Sequence, residues 1–189
     1  MKILIVGTVG AGKTTLAKKL SKEYKIKYWE IDSIVHNDEN NGIKRSFSEQ
    51  DKLIEEIDKN QNWILEGVLR KNLYYLLEKA DRIILLGDLY YHGPRNELTQ
   101  EYNPMKVAGI LNDFGEKLRT VRGNCDAEVD EMISEFKFED HILMEINGKN
   151  FYFTHGHKYN IEVIPYDEFD ILIYGHIHQG FIQEKEGFV

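Results

Sequence analysis

Residues 82–88, Arg-Ile-Ile-Leu-Leu-Gly-Asp, place four apolar side chains in a row. A run with no polar alternation reads as a strand buried on both faces, as in a parallel sheet covered by helices. Gly87 lets the chain turn at the end of that strand, and Asp88 follows it. In open α/β sheets this edge is where ligands bind. The expected fold is therefore α/β with a mostly parallel sheet and its chemistry at the strand ends.

Upstream, Lys2–Val6 is a second buried-strand pattern and leads into Gly7-Thr8-Val9-Gly10-Ala11-Gly12-Lys13-Thr14-Thr15. This is the G-x-x-x-x-G-K-[ST] phosphate loop in its required context, with a strand before it and a helix after it. Gly7, Gly10 and Gly12 let backbone N–H groups converge on phosphate oxygens. Lys13 is placed to reach the β/γ-phosphates, and Thr14 and Thr15 open the helix, with Thr14 able to ligate Mg²⁺. ATP or GTP is the expected ligand class. Leu16, Ala17 and Leu20 form the apolar face of that helix.

Tyr28–Asp32 reads as a strand ending in an acid, and Trp63–Gly67 as a third strand. Ser46-Phe47-Ser48-Glu49 is a capping box that predicts a helix through Asn60, with Leu53, Ile54 and Ile57 inward. Arg70–Lys79 reads as a helix with Leu73, Leu76 and Leu77 on one face. The βαβ alternation implies right-handed crossovers. On the phosphate loop, Ile31-Asp32, and Trp63–Gly67 followed by Arg70, residues 1–86 resemble the first half of small P-loop kinases of the adenylate-kinase-like group, close to topology modulation proteins. The resemblance implies that Asp32 orients or deprotonates an acceptor hydroxyl and Arg70 holds an acceptor group. The arginine-bearing lid of such kinases has no counterpart after Leu86.

Downstream, Asn103-Pro104 starts a helix expected to reach Leu118, with Val107, Ile110, Leu111, Phe114 and Leu118 on one face. Thr120–Arg122 is a short strand ending at Gly123-Asn124-Cys125-Asp126. A hairpin is expected from His141–Ile146 and Asn150–Thr154 around Asn147-Gly148. Its second arm leads into Thr154-His155-Gly156-His157, and a last strand, Asp170–Tyr174, leads into Gly175-His176-Ile177-His178. Six of the seven histidines lie in this half. Oxygen and imidazole donors at four strand ends suit Mn²⁺, Fe, Zn²⁺, Ni²⁺ or Mg²⁺.

Gly87-Asp88…His92-Gly93-Pro94-Arg95-Asn96, Gly123–Asp126, Thr154–His157 and Gly175–His178 resemble the calcineurin-like metallophosphoesterases, in particular their small bacterial and archaeal phosphodiesterase branch. That resemblance implies hydrolysis of a phosphoester by metal-bound hydroxide. It implies Asp88 as the bridge between two metals, and Asn124, His155 and His176 as the remaining ligands of one. His178 serves the other, with Mn²⁺ as the expected ion. The family's opening strand ends in Asp-x-His, whereas here it ends in the phosphate loop. The first metal therefore keeps only Asp88 and His178. The family's later Asn-Pro-Gly segment has no counterpart before Val189. Cys125 reads as a packing residue.

The expected organisation is a P-loop kinase-like half (residues 1–86) and a metallophosphoesterase-like half with a β-hairpin (residues 87–189) sharing one sheet. Asp88, Asn124, His176 and Lys13 are the candidate catalytic residues. Asp32, Arg70, His92 and His157 are the candidates for substrate contact. Three functional readings stand: a metal-dependent phosphoesterase, an ATP- or GTP-dependent small-molecule kinase or NTPase, and a non-catalytic nucleotide- or metal-binding chimera. The first 86 residues carry 15 basic and 13 acidic side chains, the remainder 9 and 19. So acidic a second half argues against a broad nucleic-acid surface, and the two resemblances imply a small-molecule phosphoester or nucleotide partner. No apolar run approaches the ~18 residues of a membrane span. Met1–Gly7 is too short for a signal peptide, and the single cysteine allows no internal disulfide, as expected of a cytoplasmic protein.

Overall fold

The structure is a computed structural model of the 189-residue chain, and it describes residues 1–6, 13–37, 42–68, 70–91, 98, 102–177 and 183. Gly7, Gly10, Gly12, His92 and His178 lie outside the described residues. The chain divides into two compact units, Met1–Asp81 and Arg82–Ile177. The strands are mostly parallel, as the apolar runs imply.

The first unit runs β1 (Lys2–Val6), α1 (Lys13–Tyr24), β2 (Tyr28–Glu30), α2 (Ile31–Val35), β3 (His36–Asn37), β4 (Ile43–Lys44), α3 (Phe47–Asp58), β5 (Trp63–Gly67) and α4 (Tyr75–Glu78). Its sheet has the order β1-β5-β2, all parallel. The central strand β5 is buried along its whole length. Trp63 and Leu65 pack with Ile31, Ile34, Val35, Ile54 and Ile57 to form the core.

α3 starts where the capping box predicts. Ser46 Oγ accepts from Glu49 N at 3.4 Å, and Ser46 N donates to the Glu49 carboxylate at 2.8 Å. At the helix's other end Asp58 accepts from Lys79 Nζ (2.6 Å), Lys2 Nζ (2.7 Å) and Trp63 Nε1 (3.0 Å). The Lys2 hydrogen bond, followed by that from Lys79, holds its carboxyl well below the usual carboxylate range. This one side chain ties α3 to β1, β5 and the end of α4.

Two expectations in this unit change. The strand expected over Tyr28–Asp32 ends at Glu30, and Asp32 lies in α2. Ile31, Ile34 and Val35 are all buried, a helical spacing that the preceding strand pattern masks. The helix expected over Arg70–Lys79 is a 3₁₀ turn at Lys71–Leu73 followed by the single turn of α4. Leu73 and Leu76, three apart, are both completely buried. Side chains three apart share one face in either winding, so both leucines stay buried across the change from 3₁₀ to α.

The second unit runs β6 (Ile83–Leu85), α5 (Pro104–Asn112), β7 (Leu118–Val121), α6 (Glu128–Ile133), β8 (Phe138–Glu139), β9 (Ile142–Ile146), β10 (Lys149–Thr154) and β11 (Ile171–Tyr174). One sheet, β6-β7-β8, is parallel. In the other, β10 pairs antiparallel with β9 and parallel with β11. The hairpin turns at Asn147 (φ 52°) and Gly148 (φ 77°), the left-handed pair a tight two-residue turn requires.

β6 is shorter than the apolar run that announces it, and of its residues only Ile83 is fully buried. α5 opens on an Asn103 cap but stops at Asn112, because Gly115 (φ 51°) leaves the helical region. Val107 and Ile110, expected inward, are exposed, and Ala108 faces the core beside Tyr90 and Phe138. No helix among the described residues is long and apolar enough to cross a membrane.

Candidate metal centre

Three of the four loops that carry the second unit's predicted chemistry follow the strands β6, β7 and β10, and the fourth follows β11. Glycines give these loops the clearance they need. At Gly87 (φ 90°) an added Cβ would sit 2.5 Å from Gly123 N and 2.9 Å from His155 Nδ1. At Gly123 it would collide with the Asp88 carboxylate. Asp88 (φ 55°) and His176 (φ 65°) are non-glycine residues in the left-handed region, a conformation that must be held by its surroundings.

His155 is buried, and its Nδ1 lies 2.5 Å from the carbonyl oxygen of Leu86. A carbonyl only accepts, so Nδ1 carries the proton and Nε2 presents a lone pair. Around Nε2 lie Asn124 Oδ1 at 3.0 Å, His176 Nδ1 at 3.1 Å and Asp88 Oδ2 at 3.4 Å. The Asn124 amide nitrogen points instead at Cys125 Sγ, 3.4 Å away, which turns its oxygen towards the cluster. The facing atoms of Asp88, His155 and His176 all lie within 4.8 Å of one another. A proton on His176 Nδ1 can join one of these pairs by a hydrogen bond, and a cation seated between the groups would engage all of them at once. One carboxylate oxygen, one amide oxygen and two imidazole nitrogens fit a borderline divalent ion.

The structure thus brings together Asp88, Asn124, His155 and His176 of the predicted ligands. His157 lies beside them, its ring centroid 5.3 Å from that of His155 and 6.2 Å from that of His176. Its Nδ1 is buried without a hydrogen-bond partner. Burial, then the neighbouring His155, lowers the His157 pKa. Burial, then Asp88, pushes the Cys125 thiol up, which suits the packing role read from the sequence. One contributor escaped sequence reasoning: Asp126, whose carboxylate accepts from three backbone amides of the ligand loops. Its only advance signal is its place in the Gly123–Asp126 segment.

The candidates of the first unit behave differently. Lys13, Thr14 and Thr15 open α1. Thr14 Oγ1 donates to Glu66 Oε1 at 2.6 Å, and Glu66 is buried at the end of β5. Glu66 was also missed, since it sits inside a strand that reads as core. Asp32 and Arg70, both expected to face an acceptor, pair with each other at 2.8 Å.

Comparison with known proteins follows the same division. Residues 66–189 match the calcineurin-like phosphoesterase superfamily domain, and residues 3–88 match an AAA domain. Both matches include residues 66–88, from the end of β5 through β6 to Asp88. Phosphodiesterase YfcE of Escherichia coli (strain K12) is 42% identical over 110 residues, covering 56% of this chain and 59% of YfcE. A solved structure of Yfce, described as a phosphoesterase from E. coli, superposes with a TM-score of 0.51 at 38% identity. It covers 55% of this chain and 58% of that one. The chain therefore spans a little over half the length of these relatives. A shikimate kinase of Flavobacterium psychrophilum is 20% identical over 174 residues, 90% of this chain and 94% of the kinase. With strand-end loops that gather an aspartate, an asparagine and two histidines, and a family match over residues 66–189, the chain belongs to the calcineurin-like phosphoesterase superfamily, while its residues 3–88 match an AAA domain.

Proposed function

We propose that the protein is a metal-dependent phosphoesterase whose hydrolytic centre lies in the second unit. Asp88, Asn124, His155 and His176 would hold a divalent ion, Mn²⁺ by expectation. The observation that carries this reading is the convergence of Asn124 Oδ1, His176 Nδ1 and Asp88 Oδ2 within 3.4 Å of His155 Nε2. A bound divalent ion would supply Lewis-acid stabilisation of the phosphoryl oxygens and lower the pKa of water. The chain's own part is orientation. Leu86 O fixes the His155 tautomer, and the Cys125 amide, 2.9 Å from Asp88 Oδ1, leaves Asp88 Oδ2 for the cluster. His157, with its buried unpaired nitrogen, is the residue we assign to contact a phosphoryl oxygen; His92 and His178 belong to the same proposal from sequence alone. The substrate class is a small phosphoester.

The test is Mn²⁺-dependent hydrolysis of an activated aryl phosphodiester by the full chain. Activity lost in Asp88→Asn and in His176→Ala but kept in Lys13→Ala supports the reading. Activity that follows Lys13 and ignores the histidines overturns it.

A second reading, an ATP- or GTP-dependent kinase or NTPase, draws on the Thr14–Glu66 contact, which orients a phosphate-loop hydroxyl from a buried acid. It predicts nucleotide turnover that Lys13→Ala removes. A chain that binds Mn²⁺ or nucleotide yet turns over neither substrate would fit the third reading, a binding protein without catalysis.

A further inference from the structure

We propose that Asp126 is a positioning residue that sets the geometry of the metal ligands by clamping two of their loops to each other; the inference rests on the phosphoesterase reading above. Asp126 Oδ2 accepts from Asp88 N at 2.9 Å and from Gly123 N at 2.7 Å. Asp126 Oδ1 accepts from Leu89 N at 2.8 Å. The loops after β6 and β7 therefore share one carboxylate. The arrangement is reciprocal, because Cys125 N donates back to Asp88 Oδ1 at 2.9 Å. Asp88 has one carboxylate oxygen committed to this lattice and the other facing His155 Nε2 at 3.4 Å.

The clamp accounts for two features of these loops. Asp88 holds a left-handed backbone (φ 55°) that a non-glycine residue avoids without restraint. Its own amide and the next one are fixed by Asp126, which restrains the peptides on either side of that torsion. Gly123 must lack a side chain because the clamp draws its backbone against Asp88, where a Cβ would strike the carboxylate. Carboxylates that accept two or three backbone N–H groups make strong, directional, charge-assisted bonds. The outer partners of metal ligands commonly control affinity by about 10–100-fold.

Asparagine cannot replace this acid, since an amide nitrogen would face at least one N–H donor. Glutamate keeps the charge and both acceptors on a longer stem. The experiment measures Mn²⁺ affinity of the full chain by calorimetric titration for wild type, Asp126→Asn and Asp126→Glu. Asp130→Asn, a substitution in the α6 cap, serves as a control for loss of stability alone. Amide exchange at Asp88, Leu89 and Gly123 is followed in the metal-free wild type. We expect Asp126→Asn to weaken Mn²⁺ binding by about 10–100-fold, Asp126→Glu to recover part of it, and Asp130→Asn to leave it within about twofold. We expect the three amides to be protected although none lies in a strand or helix. Unprotected amides, or an Asp126→Asn affinity equal to that of the control, overturn the clamp. A wild type that takes up no Mn²⁺ overturns the metal reading instead, and the exchange data still decide whether the clamp exists. The same wild-type data decide it if Asp126→Asn fails to fold.

Discussion

The two units handle their candidate polar groups in opposite ways. In the first, candidate residues take partners of complementary character: Arg70 donates to Asp32 at 2.8 Å while its Nε stays buried without a partner among the described residues, and Thr14 donates to Glu66 at 2.6 Å. In the second, groups of metal-ligating character converge, with carboxylate and amide oxygens and an imidazole nitrogen around His155 Nε2. Complementary groups form a site that is stable as it stands and must be opened by a ligand. Metal-ligating groups form a site that gains stability when a cation arrives. The second arrangement is therefore the stronger pointer to chemistry, and it is why the hydrolytic reading leads.

Substitution within the two sites probes that contrast most directly. Asp88→Asn should lower aryl phosphodiester hydrolysis by about 10²–10³-fold and remove Mn²⁺ uptake, since several kcal/mol of charge stabilisation go with the ion. Glu66→Gln should leave both unchanged. Equal losses in the two variants would erase the distinction between the units. Next in size is the first unit's core. Trp63 is 1% exposed, and Trp63→Ala should cost about 3–5 kcal/mol in denaturant unfolding.

A smaller effect comes from Asp58, an acid held by two lysines rather than gathered with metal-ligating groups. Its folded pKa lies below the ordinary 3.8, so its contribution is complete above that value and is lost as pH falls towards the folded pKa. Asp58→Asn should therefore cost about 1.5–3 kcal/mol at pH 6, as expected for hydrogen bonds to a charged group. The gap to wild type should narrow steadily below pH 3.8, measured by thermal unfolding across pH. A gap independent of pH would remove the ion-pair account. Smallest is Ser46→Ala, which breaks the α3 capping box and should cost about 1 kcal/mol by the same unfolding measurement.

Much of this was legible beforehand because it depends on near neighbours in the chain. Ser46 and Glu49 declare a helix start within four residues, and Asn147-Gly148 declares a hairpin within two. Glycine beside Asp88, Asn124, His155 and His176 marks loops that must approach closely. Other elements were hidden where one pattern overlies another. The buried helical face of Ile31, Ile34 and Val35 follows a strand without a break, and the apolar face expected on α5 runs past the glycine that ends it.

Sequence alone determined the parallel α/β character, the start of α3 and the hairpin turn, because local spacing and backbone freedom set these. Only tertiary structure decided that Asp32 and Arg70 neutralise each other, that His155 Nε2 rather than Nδ1 faces the cluster, and that Asp126 grips two separate loops. Hydrogen bonds are short-ranged and directional, so which partner a polar group takes is settled when distant segments of chain are packed within about 3 Å of each other.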